Sequence, residues 1–399
     1  MAVKVHEFQS KKLLSAFGVP VERGEVIFSK GEVGGAFGRL GAMERYAVKA
    51  QVHAGGRGLG RFANGLSGSG VRLVDSKDEA MDLVCAMLGN RLITKQTGPE
   101  GAPVSAVYVA EVIEPMGQFY LSIVVDRRAQ RPVILASAEG GGNIEDLAEK
   151  SPWKIFREHI IPTFGLADFQ IRKLAFALGL GEESLLQDFM ATLRGMWKLF
   201  WEKDASLVEI NPLALTAHGR LCAIDAKINF EDNGLFRNED VRAMRDTTQE
   251  DLNEVRASQF GLTYVALGGT IACLTNGAGL AMATMDLLND YSLDPANFLD
   301  LGDNSPQAAI TEAVKILLGG PNVRCVVVNV IGGAMRGDVV AESILEALPT
   351  APFHPPLVIR MEGANAEEGR KILRDRIPSA FFADGMSSLG DKVRMAVGR

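Results

Sequence analysis

The chain has 399 residues, of which 47% are apolar and 23% charged, with a formal net charge of -7. That length exceeds one typical core, so two or three domains are expected, and the apolar share excludes a disordered chain. No apolar run reaches the roughly 18 residues of a membrane span, and no Lys/Arg block marks a nucleic-acid partner.

In chain order, the pattern predicts a first helix from His6 to Phe17, with Leu13, Leu14 and Phe17 on one face and Gly18 as its stop. An extended stretch from Val19 to Phe28 follows, then a strand around Tyr46-Ala47-Val48-Lys49. Ser76 and Glu79 form a capping-box pattern opening a helix through Leu88 that ends at Gly89. Val104 to Glu114, Phe119 to Asp126 and Ile134 to Ala138 read as strands. Helical patterns return at Phe169–Leu178 and Ser184–Glu202. A hairpin spans Ser206–Leu215 and Leu221–Asn229, turning at Ala217-His218-Gly219. This first half mixes helices with largely antiparallel strands.

The charged stretch Asp246-Thr247-Thr248-Gln249-Glu250-Asp251 is the candidate linker, dividing the chain into residues 1–245 and 246–399. Beyond it, strand, glycine turn and helix recur at Ile271–Leu288 and again from Val326 to Leu345, with a further strand at Pro356–Arg360. Continuous apolar strands alternating with helices predict a doubly wound parallel sheet. The cysteines Cys85, Cys222, Cys273 and Cys325 are scattered without CxxC spacing and read as buried thiols of a reducing compartment. The polar N-terminus predicts no secretory leader.

Two segments carry chemistry. Lys49 sits in a strand and is followed by Gly55-Gly56-Arg57-Gly58, so a fixed ammonium precedes a loop whose glycine N–H groups can approach phosphates. In the hairpin, alternation places Glu209 and Asn211 on one face, and Asp225 with Lys227 on one face of the returning strand. Oxygen donors of this kind suit Mg2+, which keeps waters and bridges phosphates. The plain alternatives are a solvated turn and a half-exposed hairpin.

Lys49-Ala50-Gln51-Val52-His53-Ala54-Gly55-Gly56-Arg57-Gly58, Glu139-Gly140-Gly141, Glu209-Ile210-Asn211-Pro212-Leu213, Asn276-Gly277-Ala278-Gly279-Leu280-Ala281-Met282 and Asn297-Phe298-Leu299-Asp300 occur in that order. Together they resemble the β subunits of succinyl-CoA synthetase (succinate–CoA ligase) over nearly the whole chain. The resemblance implies an α/β and α+β protein: an N-terminal ATP-grasp fold at 1–245, with a smaller lid at about 23–103, then a flavodoxin-like CoA-ligase domain at 246–399. It implies ATP or GTP as cosubstrate, Mg2+, and an α subunit that carries the phosphorylated histidine and the CoA site. Succinate or a related acid would be the substrate, in the tricarboxylic acid cycle of a bacterial-type cytoplasm or an organelle matrix.

By the same resemblance, Lys49, Gly56, Arg57 and Gly58 would hold the phosphates. Ala110, Glu111, Val112 and Ile113 would meet the base through the backbone, and Gln118 would stand where a ribose-side glutamate is usual. Asn211 and Asp225 would hold Mg2+, and Glu209 would orient the partner's histidine. Asn276 and Gly333, Ala334 and Met335 would form the acid and phosphate region shared with the α subunit; their glycine turns also suit anion binding at helix N-termini, or simply tight packing. None of His6, His53, His159, His218 and His354 is placed as a phosphoryl carrier.

Four positions depart from the family pattern. Leu59 replaces a lysine after the glycine loop, Gly268 an acidic residue, and Glu22 stands near the base. Asp303 follows Asp300-Leu301-Gly302, where glycines are usual. A carboxylate about 4 Å from phosphate would cost about 4 kcal/mol at an effective dielectric near 20, so Asp303 either points away or changes the site. Ser305 and Pro306 are expected as N-cap and first residue of the next helix. The competing readings are a malate– or citrate–CoA ligase subunit, a non-catalytic scaffold, and a stand-alone carboxylate–amine ligase.

Overall fold

The computed structural model describes residues 2–398, which divide into two compact units meeting at Gln249 and Glu250. Among the described residues no helix is long and apolar enough to cross a membrane.

The N-terminal unit is built on antiparallel sheets. Its largest sheet has seven strands, ordered Ala2–Lys4, Ala226–Glu231, Ala205–Leu215, Gly117–Asp126, Arg131–Ser137 and Phe156–His159, with Leu221–Ala223 beside Ala205–Leu215. Helices Glu7–Ala16, Asp168–Ala177 and Glu183–Glu202 supply Leu14, Ile171, Phe189 and Leu193 to one core with Ile123, Val208 and Phe230 of this sheet. A second sheet runs Gly24–Ile27, Ala106–Glu111, Tyr46–Gln51, Val71–Val74, again antiparallel. Helices Val33–Leu40 and Lys77–Met87 close its core through Phe37 and Val84. Ser76 Oγ accepts from Glu79 N–H at 3.5 Å, as the capping pattern predicts. A small three-stranded sheet lies between (Arg61–Phe62, Arg91–Ile93, Ala102–Pro103).

One expectation is corrected here. The returning strand of the hairpin is not continuous: it stops at Ala223 and restarts at Ala226, leaving Ile224 and Asp225 outside the ladder. Ile224 N–H turns to Pro212 O and Asp225 O accepts from Asn211 N–H, so the chain crosses over at this point instead of pairing flat. The two units divide within the candidate linker, whose first residues are held by side-chain hydrogen bonds. Asp246 bonds His6 and Ser105, and Gln249 bonds Pro103 O, all within the N-terminal unit.

The C-terminal unit is a six-stranded sheet ordered Thr263–Ala266, Asn297–Asp300, Ile271–Thr275, Cys325–Gly332, Leu357–Gly363, Phe381–Phe382. Only the first strand is antiparallel to its neighbour. The five parallel strands, counted in chain order, therefore lie 2-1-3-4-5, the flavodoxin-like arrangement, with a switch point between Ile271–Thr275 and Cys325–Gly332. Burial alternates across this sheet as strand geometry demands. Ala272, Leu274, Val326 and Val328 join one core, while Ile271, Cys273 and Val327 join the other. The helix after Asp303 begins at Gln307, and Ser305 donates its hydroxyl to Leu301 O rather than capping; Pro306 stands at the cap, where its missing N–H costs nothing.

Candidate functional site

Lys49 lies in a strand paired on both sides, and every residue of that strand is buried. Its side chain is 8% exposed, so the ammonium needs partners. Lys49 Nζ donates to Glu7 Oε1 at 2.8 Å and to Ile224 O at 3.0 Å, and stands 3.7 Å from Glu22 Oε1. The break in the returning strand is what frees the Ile224 carbonyl for this contact.

The glycine loop brings a second cation to the same place. Gly56 takes a left-handed φ of 73°, and the short turn Arg57–Leu59 then sends the Arg57 guanidinium inward. Arg57 Nη1 lies 2.8 Å from Glu7 Oε2 and Nη2 is 3.3 Å from both Asp225 oxygens. Lys11 Nζ reaches Glu7 at 2.9 Å and also bonds Glu22. Three cations (Lys11, Lys49, Arg57) thus face three carboxylates (Glu7, Glu22, Asp225). Burial alone would push the Glu7 carboxyl up, but Lys11, Lys49 and Arg57 together hold it well below the ordinary carboxylate range. For Glu22 burial wins over Lys11 and Lys49, and its pKa is raised.

The oxygen donors cluster beside this network. Asn211 Oδ1 accepts from Gly141 N–H at 2.7 Å and Asn211 Nδ2 donates to Gly142 O at 2.9 Å. The peptide Asn211–Pro212 is cis, at the point where the strand pairing shifts register. Asn211 N–H also bonds Asp225 O at 3.0 Å, so the two residues are backbone neighbours. Among the described residues no group of three or more His, Cys, Asp or Glu side chains could hold a metal alone. Glu209 accepts from Tyr120 Oη–H at 3.3 Å, and burial, offset in part by Lys227, pushes its carboxyl up.

The loop Glu139–Gly142 ties these groups together. Gly140 N–H donates to Gln118 O at 3.0 Å, which seats the loop on the strand that carries Gln118. A Cβ on Gly140 would lie 2.5 Å from the Phe119 carbonyl and 2.7 Å from its nitrogen, which only a shift of the loop relieves. Gly140→Ala should therefore lift Gly141 and Gly142 off Asn211 and weaken Mg-dependent nucleotide affinity by about tenfold, or roughly 1.4 kcal/mol. Titration of the variant with Mg-ATP and Mg-GTP checks this; an unchanged affinity would separate the loop from the oxygen donors.

Other sequence-predicted positions are less open. Ala110 and Glu111 are paired strand residues; Glu111 N–H bonds Arg23 O at 2.9 Å and Val112 N–H bonds Arg45 O at 3.3 Å. Ile113 is half-buried beyond the strand end, and Gln118, Gly58 and Leu59 are exposed. In the C-terminal unit Asn276 clamps the switch point. Its Nδ2 donates to Ile331 O at 2.7 Å and its Oδ1 accepts from Ile331 N–H at 2.8 Å. Asp300 Oδ1 accepts from Gly277 N–H at 2.5 Å and from Gly302 N–H at 2.7 Å, so an internal carboxylate already sits at the helix start. Gly333 and Ala334 are exposed, Met335 is buried, and Asp303 is exposed.

Sequence reasoning missed Glu7 and Lys11. Their spacing of four is visible, but such a pair normally marks a solvated helix face; here both are 2% exposed. It also missed the His6–His53 ring contact, with centroids 4.3 Å apart, which links Asp246 through His6 to a residue two positions before the glycine loop.

The ATP-grasp domain model matches residues 4–215 and the CoA-ligase model residues 274–379. Succinate–CoA ligase [ADP-forming] subunit beta of Cereibacter sphaeroides is 43% identical over 397 residues, covering 99% of this chain and 100% of the relative. The chain belongs to the succinate–CoA ligase β-subunit family. The Coxiella burnetii subunit of the same name is 43% identical over 396 residues, covering 99% of each chain. Among solved structures, ATP citrate lyase from Methanothrix soehngenii in complex with citrate and coenzyme A superposes over 100% of both chains, with a TM-score of 0.69 at 15% identity. That likeness shows a shared fold: an ATP-grasp unit followed by a CoA-ligase unit. As a member of the succinate–CoA ligase β-subunit family, the chain is a ligase subunit.

Proposed function

We propose that this ligase subunit uses ATP or GTP with Mg2+ to phosphorylate a histidine of an α-type partner chain, coupled to reversible formation of succinyl-CoA from succinate and CoA with release of phosphate. The observation that carries the reading is the convergence of Lys49 and Arg57 beside the Asn211–Asp225 oxygen pair. Phosphoryl transfer asks a protein chiefly for positioning and charge neutralisation, which this arrangement supplies.

On this reading Lys49 and the Gly56–Gly58 loop hold the phosphates, residues 110–113 and Gln118 take the nucleoside, and the lid spans about residues 23–103. Mg2+ held by Asn211 and Asp225 would neutralise charge on the phosphates. Glu209, held by Tyr120 at 3.3 Å, would orient the incoming histidine. Asn276 shapes the acid and phosphate seat from behind, with Gly333, Ala334 and Met335 at its mouth. The bacterial relatives fit a cytoplasmic place for the complex.

Co-expression with an α-type partner provides the test. One equivalent of ADP or GDP should be released as the histidine is phosphorylated, and continued release should require succinate and CoA together. Turnover with malate or citrate in place of succinate would reassign the acid. No turnover with any dicarboxylate would end the reading.

A further inference from the structure

Glu22, like Glu7, is a carboxylate of the buried network that none of these roles uses. It follows the first helix and its side chain is 1% exposed. One oxygen serves Lys11 and stands 3.7 Å from Lys49 Nζ; the other, Oε2, is buried without a hydrogen-bond partner. The groups facing it come from four elements: Glu7 and Lys11 from the first helix, Lys49 from the lysine strand, Tyr108 from Ala106–Glu111, and Cys222 from Leu221–Ala223. Lys11 also lies over the Tyr108 ring, 4.9 Å from its centroid. The cations that face Glu22 are two ammonium groups, both shared with Glu7.

We propose that Glu22 is a positioning residue for Lys49, and that it takes up a proton when a nucleotide polyphosphate draws Lys49 away. The inference rests on the reading of Lys49 as a phosphate ligand. In the network three cations balance three carboxylates. A bound polyphosphate claims Lys49 and Arg57 and adds negative charge beside what is left, a single Lys11 between Glu7 and Glu22. Glu7 keeps its contact with Lys11 at 2.9 Å, and its second oxygen is the one that Arg57 otherwise meets at 2.8 Å. Glu22, with one oxygen lacking any donor, is the site at which an added proton gains a place without breaking a contact. The proton comes from solvent and adds to Oε2; no other bond changes. Nucleotide affinity then rises as pH falls, and Glu22 sets how firmly Lys49 is held before the nucleotide arrives.

Calorimetric titration of the full chain with Mg-ATP and, separately, Mg-GTP tests this, in two buffers of different ionisation enthalpy and above the last ionisation of the nucleotide. The buffer dependence should report uptake of up to about one proton per nucleotide bound. Glu22→Gln should bind about tenfold more tightly and lose the uptake. As a readout independent of the variant's folding, infrared difference spectra after photorelease of caged nucleotide should gain a protonated-carboxyl band in the unaltered chain. Binding without proton uptake, or equal uptake in Glu22→Gln, overturns the inference while leaving the phosphate site standing. No binding of either nucleotide overturns that site, and the inference with it.

Discussion

Lys49→Ala is expected to abolish phosphorylation of the partner histidine, lowering it by about a thousandfold or more, as loss of a charge-neutralising group does in phosphoryl transfer. The reason is geometric. Lys49 is held by its strand at the spot where the Ile224 carbonyl, Glu7 and the oxygen pair Asn211–Asp225 meet. Alanine removes both the charge and the side chain that reaches Glu7 and the Ile224 carbonyl. Arginine should restore little, because a planar fork does not fit between one carbonyl and one carboxylate. The measurement is transfer of labelled phosphate from ATP and from GTP to the partner chain. Labelling within a few-fold of the unaltered protein would remove Lys49 from the site.

The second large effect is on stability. Glu7→Ala leaves Lys11, Lys49 and Arg57 facing one another with only Glu22 and Asp225 as counter-charges. Breaking a buried ion network from one side costs about 3–5 kcal/mol. Denaturant unfolding followed by tryptophan fluorescence reports the N-terminal unit alone, because Trp153, Trp197 and Trp201 are the three tryptophans of the chain. The pH dependence carries a sign. The Glu7 carboxyl is depressed, so its contribution is complete above the ordinary carboxylate pKa and is lost as pH falls through the lower folded value. Glu22 is raised and works oppositely: its ionised form destabilises, and the penalty grows as pH rises from the ordinary value toward the folded one. Removing Glu7 should therefore flatten the acid limb of the stability curve, and a loss below about 1 kcal/mol at neutral pH would show that the network relaxes freely.

Much of this was legible in the residues. The parallel strands of the C-terminal unit announce themselves because both faces are apolar, and the helices between them follow the glycine turns. The strand order does not: nothing in Ile271–Thr275 or Asn297–Asp300 says which lies beside Cys325–Gly332. The lysine strand and the glycine loop were readable as a phosphate motif. What they need in order to stay buried without a ligand was not, since Glu7 and Lys11 resemble a solvated helical pair until the sheets close over them. The break at Ile224–Asp225 was hidden for a different reason. Its apolar–polar alternation continues across the kink, so the pattern looks like one strand while the hydrogen bonds describe two.

The carboxylate of Asp300, bonded to the amides of Gly277 and Gly302, has a bearing on selectivity in the C-terminal unit. It is a tethered competitor: an anion held at high effective concentration by its own strand, in the place an outside anion would take. An arriving ligand must displace it or share the amides with it. Chloride or acetate, with one charge and few contacts, has little means to do so, whereas a dianion that also engages the exposed mouth at Gly333 and Ala334 does. On the proposed reading of this turn as an acid and phosphate seat, a residue of the chain itself would tune it against the commonest small anions.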